Sequence, residues 1–337
     1  MSVRRVVKRG RRHIAVAAST LAVMSFLSAC GNSDEETTES GLTKITVLRS
    51  LSSGFEPLYL AEQAGCFEEN GLEVTIKPGA GDTAQNIPSV LRGDAQFAIT
   101  GSTGVINAAA EGLPVRAVSG LVSSPTDDPE QPRVSGVLVP ADSPIQDITD
   151  LEGKTIGVTA AAGYSDLMIR WGIAEAGGDP QDVDVAALPM TSLVEAAQTG
   201  QVDAIGVFEP FMSAGLGAGM REVRGADISD HPGLVGTLIF SSDEYLKEHA
   251  DTAEALVKAL ECGTEVANED QDALHAVQRE YTEVPDDFIN NQAPLKHWTV
   301  NIDGDLFEEQ ASFMEELGFI ANAPDADEML WKNAPRP

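Results

Sequence analysis

The chain has 337 residues, a length that suggests about two domains, and its 42% hydrophobic and 5% aromatic content is that of a soluble globular protein. Its 53 acidic residues outnumber 22 basic ones, for a formal charge of −31. A field of that sign repels nucleic acid and anionic surfaces, so neither is an expected partner.

The first thirty residues stand apart from the fold. Arg4, Arg5, Lys8, Arg9, Arg11 and Arg12 form a basic head, and an uncharged stretch, "IAVAASTLAVMSFLSA", follows over 14–29. It is shorter than the roughly 20 residues a membrane-spanning helix needs, and the layout is that of a secretory signal. The stretch ends in "LSAC", which resembles the lipobox of bacterial lipoproteins and implies cleavage at Cys30 and lipid on that cysteine; an ordinary signal peptide with a chance cysteine is the plain alternative. Arg4-Arg5 also hints at twin-arginine export. Without these thirty residues, 16 basic and 53 acidic side chains remain, a formal −37. "GNSDEETTESG" follows Cys30, polar and acidic, and reads as a disordered tether over 31–43.

From there short apolar runs alternate with helix-like stretches, the pattern of an α/β fold with mostly parallel sheets. "KITVL" (44–48) reads as a strand, "EPLYLAEQAGCF" (56–67) as a helix with Pro57 in its first turn, and "LEVTIKP" (72–78) as a strand. A helix over 82–93, interrupted by Pro88, leads into the strand "AQFAIT" (95–100), a helix over 102–112 and a strand over 114–122. Arg92-Gly93-Asp94 spells a cell-adhesion tripeptide but reads here as a helix-to-strand turn. After a Pro-rich acidic loop over 123–133, the pattern restarts. Strands are expected at 134–140, at the end of 147–159 after a short helix and a turn, at 183–189 and at 203–208, with helices at 163–178, at 191–200 and from Pro210, and "MREVRG" (220–225) closes the set. "VGTLIFS" (235–241) is a return strand, and the remainder reads as helices.

Two lobes follow: 44–133 with 236–337, and an inserted lobe over 134–235, linked by the strands near 134–140 and 235–241. "RGDAQFAITGST" and "TGQVDAIGVFEPF" repeat one unit, a turn, a strand and a loop, once in each lobe. Ligands of open α/β sheets bind beyond the carboxyl ends of strands, so the loops are expected to face a cleft between the lobes. Cys66 and Cys262, nearly two hundred residues apart, leave their pairing open. No Cys/His spacing suggests a metal site.

"EPLYLAEQAGCFEENGLEVTI", "LRGDAQFAITGST", "DITDLEGKTIGVT" and "QTGQVDAIGVFEPF", in this order and spacing, resemble the extracytoplasmic solute-binding proteins of the nitrate, sulfonate, taurine and thiamine-pyrimidine type. The resemblance spans roughly 44–320. It implies a type II two-lobe periplasmic-binding-protein fold, service to an ABC importer through its membrane permease, no cofactor, no catalysis and a monomer held outside the membrane by its lipid. It also implies ligand contacts in four loops: Arg49, Ser50, Leu51, Ser52 and Ser53; Gly101, Ser102 and Thr103; Gly163, Tyr164 and Ser165; Phe208, Glu209 and Pro210. Members of that group often carry Gly-Tyr or Gly-Trp where this chain has Leu48-Arg49, which offers a cation in place of an aromatic contact.

Elementary chemistry gives each residue two readings. Ser102-Thr103 and Gly163-Tyr164-Ser165 sit at expected helix starts, where unpartnered N–H groups suit oxyanions, or where hydroxyls merely cap. Glu209 pairs with a ligand amine or ring N–H, or it is an acid favoured in the first turn of a helix. Phe55, Tyr59, Tyr164 and Phe208 stack on a flat ligand or pack in the core. Arg49 binds an anion or makes a surface ion pair. The expected function is capture of a small polar organic molecule, a sulfonate, an aminosulfonate or a nitrogen heterocycle, by lobe closure. The alternatives are an enzyme on the same fold and a sensor module.

Overall fold

The computed structural model describes residues 35–50, 54–124, 135–209, 211–224, 231, 233–281, 286–290 and 298–337. The signal segment with Cys30 lies outside these residues, as do Leu51, Ser52, Ser53 and Pro210.

The first pass of the chain forms β1 (Thr43–Arg49), α1 (Glu56–Gln63), α2 (Cys66–Glu69), β2 (Leu72–Pro78), α3 (Ile87–Leu91), β3 (Phe97–Gly101), α4 (Ser102–Ala110) and β4 (Val115–Ser123). The second forms β5 (Ser135–Pro140), β6 (Lys154–Val158), α5 (Tyr164–Glu175), β7 (Val183–Ala187), α6 (Leu193–Gln198), β8 (Ala204–Phe208), α7 (Phe211–Gly217) and β9 (Met220–Glu222). The chain returns through β10 (Val235–Ser242). It ends in α8 (Asp243–Glu248), α9 (Ala250–Glu269), α10 (Gln271–Tyr281), α11 (Asp286–Asn290), α12 (Gly304–Glu316) and α13 (Ala326–Met329).

These strands make two five-stranded sheets of one plan, β2-β1-β3-β10-β4 and β7-β6-β8-β5-β9. In each, four strands run one way and one runs against them: β10 in the first sheet, β5 in the second. The reversed strands are those that follow the two connections between the sheets. The repeated sequence unit supplies β3 and β8, which hold the same place, third in order and beside the reversed strand.

Three apolar clusters follow from the two-residue alternation of side chains in strands. Phe97 and Ile99 of β3 face α1 and α9, while Ala98 between them faces the opposite cluster. In β5, Val137 and Val139 join that same middle cluster, and Leu138 points to a third one with Ile205 and Val207 of β8. The middle cluster therefore runs from the inner face of one sheet to the other. Burying a side chain of the size of Phe97 or Phe240 contributes about 1.5–3 kcal/mol.

Three local readings are refined. The helix expected over 56–67 is two helices, parted by Gly65 in the left-handed region at φ 80°. The one expected over 82–93 is a 3₁₀ turn at Thr83–Asn86 and then α3, with Pro88 in the first turn of α3, where its missing N–H is harmless. The stretch read as a tether is not free from Glu35 onward. The Glu35 carboxylate accepts hydrogen bonds from Tyr245 Oη at 2.7 Å and Thr252 Oγ1 at 2.8 Å, and Lys44 N–H donates to the Glu36 carbonyl at 2.8 Å. Arg92-Gly93-Asp94 is the turn between α3 and β3, with Gly93 at φ 75° and Arg92 paired to Asp94 at 2.7 Å.

Cys66 and Cys262 form a disulfide that ties α2 to α9. Beside it, Gly263 lets α9 lie against α1: a methyl group there would sit 2.1 Å from the Pro57 carbonyl oxygen.

Candidate functional site

Strand ends from both sheets meet at the start of β10. Thr237 pairs across the first sheet with Gly101, the last residue of β3. A methyl group built on Gly54, which leads into α1, would lie 3.1 Å from Thr237 Cγ2. One built on Gly101 would lie 3.6 Å from the Gly236 carbonyl oxygen, and one on Gly236 only 2.9 Å from Tyr164 Cζ. Tyr164 opens α5 of the second sheet, and its ring centre is 6.1 Å from that of Phe208 at the end of β8. Gly54, the end of β3 and the start of α5 thus lie against Gly236-Thr237, and Phe208 at the end of β8 lies beside Tyr164.

Within this ring of loops the individual residues divide. Arg49 stands at the tip of β1 but is turned toward the helix layer. Its Nη1 donates to the Ser50 carbonyl at 2.8 Å and its Nη2 to the Tyr281 carbonyl at 2.9 Å, with the guanidinium 4.6 Å from the centre of the Phe55 ring. Tyr281 ends α10, so the cation meets the negative end of a helix. Arg49 Nε is buried with no hydrogen-bond partner among the described residues. The surface ion pair considered for Arg49 is replaced by this buried clasp. Ser50 is buried as well.

Ser102 neither caps its helix nor reaches the cleft. It is fully buried, and its hydroxyl accepts from Gln310 Nε2 of α12 at 2.9 Å. Gly101 is the N-cap of α4 and brings no side chain, which leaves the cap position open; Thr103, in the first turn, is 5% exposed.

Gly163 is the N-cap of α5, again without a side-chain cap. Ser165 is buried against β8, its Cβ 3.4 Å from where a methyl on Gly206 would lie, and its hydroxyl has no partner among the described residues. The turn before it holds Ala162 at φ 54°, the one non-glycine residue in the left-handed region among the described residues. Such a conformation is strained. Asp166 holds it in place: Oδ2 accepts from Ala162 N–H at 2.8 Å while Oδ1 pairs with Arg170 at 2.7 Å. Arg170 in turn donates to the Pro180 and Val183 carbonyls. A buried pair tied this way is costly to break, about 3–5 kcal/mol.

Glu209 accepts from Ser213 N–H at 3.1 Å and Ser213 Oγ at 2.8 Å, and so serves the start of α7. Burial pushes its carboxyl above the usual range, against the lowering effect of those bonds. Phe208 remains partly exposed. Phe55 and Tyr59 take the packing role: Phe55 is fully buried, and Tyr59 is stacked on Tyr281 at 3.6 Å.

Sequence reasoning missed the residues that fasten these loops. Glu56, fully buried, accepts from Gly54 N–H at 2.7 Å and from Gln278 Nε2 at 2.9 Å. Burial raises its carboxyl above the ordinary 4.5, outweighing the bonds that lower it. Gln278 and Gln310 lie in amphipathic helices with nothing in their spacing to mark them. Gly236 did carry a signal, since a glycine inside an apolar strand marks a bulge or a close approach.

Two mixed sheets of one plan, each completed by a strand entering from the other side, with strand tips converging between them, define a two-lobe periplasmic-binding-protein fold. The alkanesulfonate-binding protein SsuA from Xanthomonas axonopodis pv. citri, solved with MOPS bound, matches with a TM-score of 0.70 at 17% identity over 86% of this chain and 98% of that one. The desulfurization enzyme DSZB has the same fold, at a TM-score of 0.59 and 15% identity over 87% and 96%. In sequence, the riboflavin-binding protein RibY of Chloroflexus aurantiacus is 24% identical over 292 residues, covering 81% of this chain and 80% of that protein. The profile of the NMT1/THI5-like family matches residues 52–274, and the chain belongs to that family.

Proposed function

We propose that this protein is a solute receptor that captures a small polar organic molecule by closure of its two lobes and delivers it to an ABC importer. One observation carries the reading: Gly54 and Gly101 of the first sheet and Tyr164 of the second meet at Gly236-Thr237, with Phe208 of the second beside Tyr164. Contacts that form only when both lobes engage bias the closed state. The strands after the two crossings, β5 and β10, are the natural hinges. Several contacts of about 1 kcal/mol each reach the −8 kcal/mol of micromolar binding.

The first loop, with Ser52 and Ser53, Thr103, Gly163 and Tyr164 are the ligand contacts in this reading. Arg49, Ser50, Ser102, Ser165 and Glu209 shape the loops that carry them. The ligand class comes from relatives: a sulfonate or aminosulfonate, or a flat nitrogen heterocycle.

The Cys66–Cys262 disulfide supports an extracytoplasmic location, since such bonds persist in oxidising compartments. The basic head, apolar stretch and "LSAC" support a lipid anchor at Cys30. The protein is proposed to act as a monomer.

DSZB is the observation behind the enzymatic alternative. Against it, Cys66 and Cys262 are tied to each other, and His231, His249 and His275 contact Trp171, Glu35 and Gln271.

Isothermal titration of the full chain with MOPS, taurine, riboflavin and nitrate tests the reading. Micromolar binding of MOPS, taurine or riboflavin without turnover supports it, whereas binding of nitrate alone replaces the organic ligand class by an inorganic anion. Chemical conversion of a bound compound replaces the receptor with an enzyme, and no binding by any of the four removes the proposed ligand class.

A further inference from the structure

β10 is buried along its length except at Gly236 and Thr237. Neighbouring residues of a regular strand face opposite sides. Two adjacent open positions in an inner strand therefore require a break in the pleat. The register supplies it: pairing with β4 shifts between Val235 and Thr237 and again between Thr237 and Leu238. A bulge of this kind re-aims a side chain.

The re-aimed side chain is that of Thr237. It stands between Gly54 and Gly101, partly exposed, and its hydroxyl has no hydrogen-bond partner among the described residues. Next to it, Gly236 leaves room for the second lobe. The Tyr164 ring occupies the space of a side chain there, with Cζ at 2.9 Å and Oη at 3.0 Å from a built methyl. The floor of the first lobe and the wall of the second thus meet at one dipeptide.

We propose that Thr237 is a solute-contacting residue that sets specificity, its hydroxyl hydrogen-bonded to the polar head of a small organic solute while Tyr164, seated on Gly236, bounds the same spot from the other lobe. This rests on the solute-receptor reading above. A hydroxyl that can both donate and accept suits a sulfonate or carboxylate oxygen as well as a ring N–H, and valine in its place discriminates against either.

The test has two arms. In the full chain carrying Cys30→Ser, Thr237→Cys supplies the one thiol outside the disulfide. A cationic methanethiosulfonate modifies that thiol in the folded, unliganded protein, and a bound probe slows the modification about tenfold or more. Separately, any of MOPS, taurine, riboflavin or nitrate that binds the parent loses about tenfold or more in affinity with Thr237→Val and about threefold or less with Thr237→Ser, at unchanged circular dichroism and melting temperature. A thiol that resists the reagent, or a Thr237→Val variant with the parent's affinity, overturns the inference. If none of the four binds, the proposed ligand class fails while the thiol arm still decides whether Thr237 faces the cleft.

Discussion

The strand tips of the first sheet are fastened by partners far along the chain, and those of the second by neighbours. Arg49 reaches Tyr281 over 232 residues, Glu56 reaches Gln278 over 222 and Ser102 reaches Gln310 over 208, and the helix layer behind them is tied the same way, Cys66 to Cys262 over 196. In the second sheet, Asp166 holds Ala162 and Arg170, and Glu209 holds Ser213, each four residues away. The sheets share a plan, yet the first cannot finish its loops until α9, α10 and α12 have returned to it. The second builds its loops from its own contiguous residues. Long-range fastening also means a larger loop-closure entropy to overcome during folding.

Breaking the long-range fastenings is expected to have the larger effects. Replacing both Cys66 and Cys262 by alanine lowers stability by about 2–5 kcal/mol, read as the denaturant midpoint under non-reducing conditions; an unchanged midpoint would show that the α1–α9 packing suffices. Glu56→Ala leaves Gly54 N–H and Gln278 Nε2 without their acceptor and lowers stability by about 2–4 kcal/mol. A loss of less than about 1 kcal/mol would mean that water reaches this site.

The local fastenings are expected to matter less. Glu209→Ala removes the acceptor at the start of α7 and lowers stability by about 0.5–2 kcal/mol, the range of a lost helix cap. If thermal unfolding ranks it above Glu56→Ala, the contrast between the lobes is wrong.

The last expected effect is on pH dependence. Glu56 holds its proton in the folded state to higher pH than in the unfolded chain, where it titrates near 4.5. The folded state binds more protons in that window, so stability is full below 4.5 and declines as pH rises through the folded value. Glu56→Gln carries no such proton, so its stability falls less than the parent's from pH 4.5 upward. Parallel curves for the two proteins would place the titration elsewhere.

Much of this plan was legible from alternating runs. The order of strands and helices and the two-sheet α/β plan follow from pattern and turn chemistry. What the chain did not announce was side-chain direction. Arg49 shares one face of β1 with Ile45 and Val47, and so faces the helix layer. Ser102 looks like a cap or a ligand donor from its place after a strand, but it is claimed by Gln310 from two hundred residues away. Thr237 hid inside an apolar strand because a bulge, set by pairing with β4, decides where it points.

A crystal structure of the full chain with whichever of MOPS, taurine, riboflavin or nitrate binds it tests the account most directly. The account predicts density for that molecule between the two sheets, touching Thr237 and the first turn of α4 on one side and Tyr164 on the other. Density at any other place, with the Tyr164–Thr237 cleft occupied by solvent alone, would contradict it.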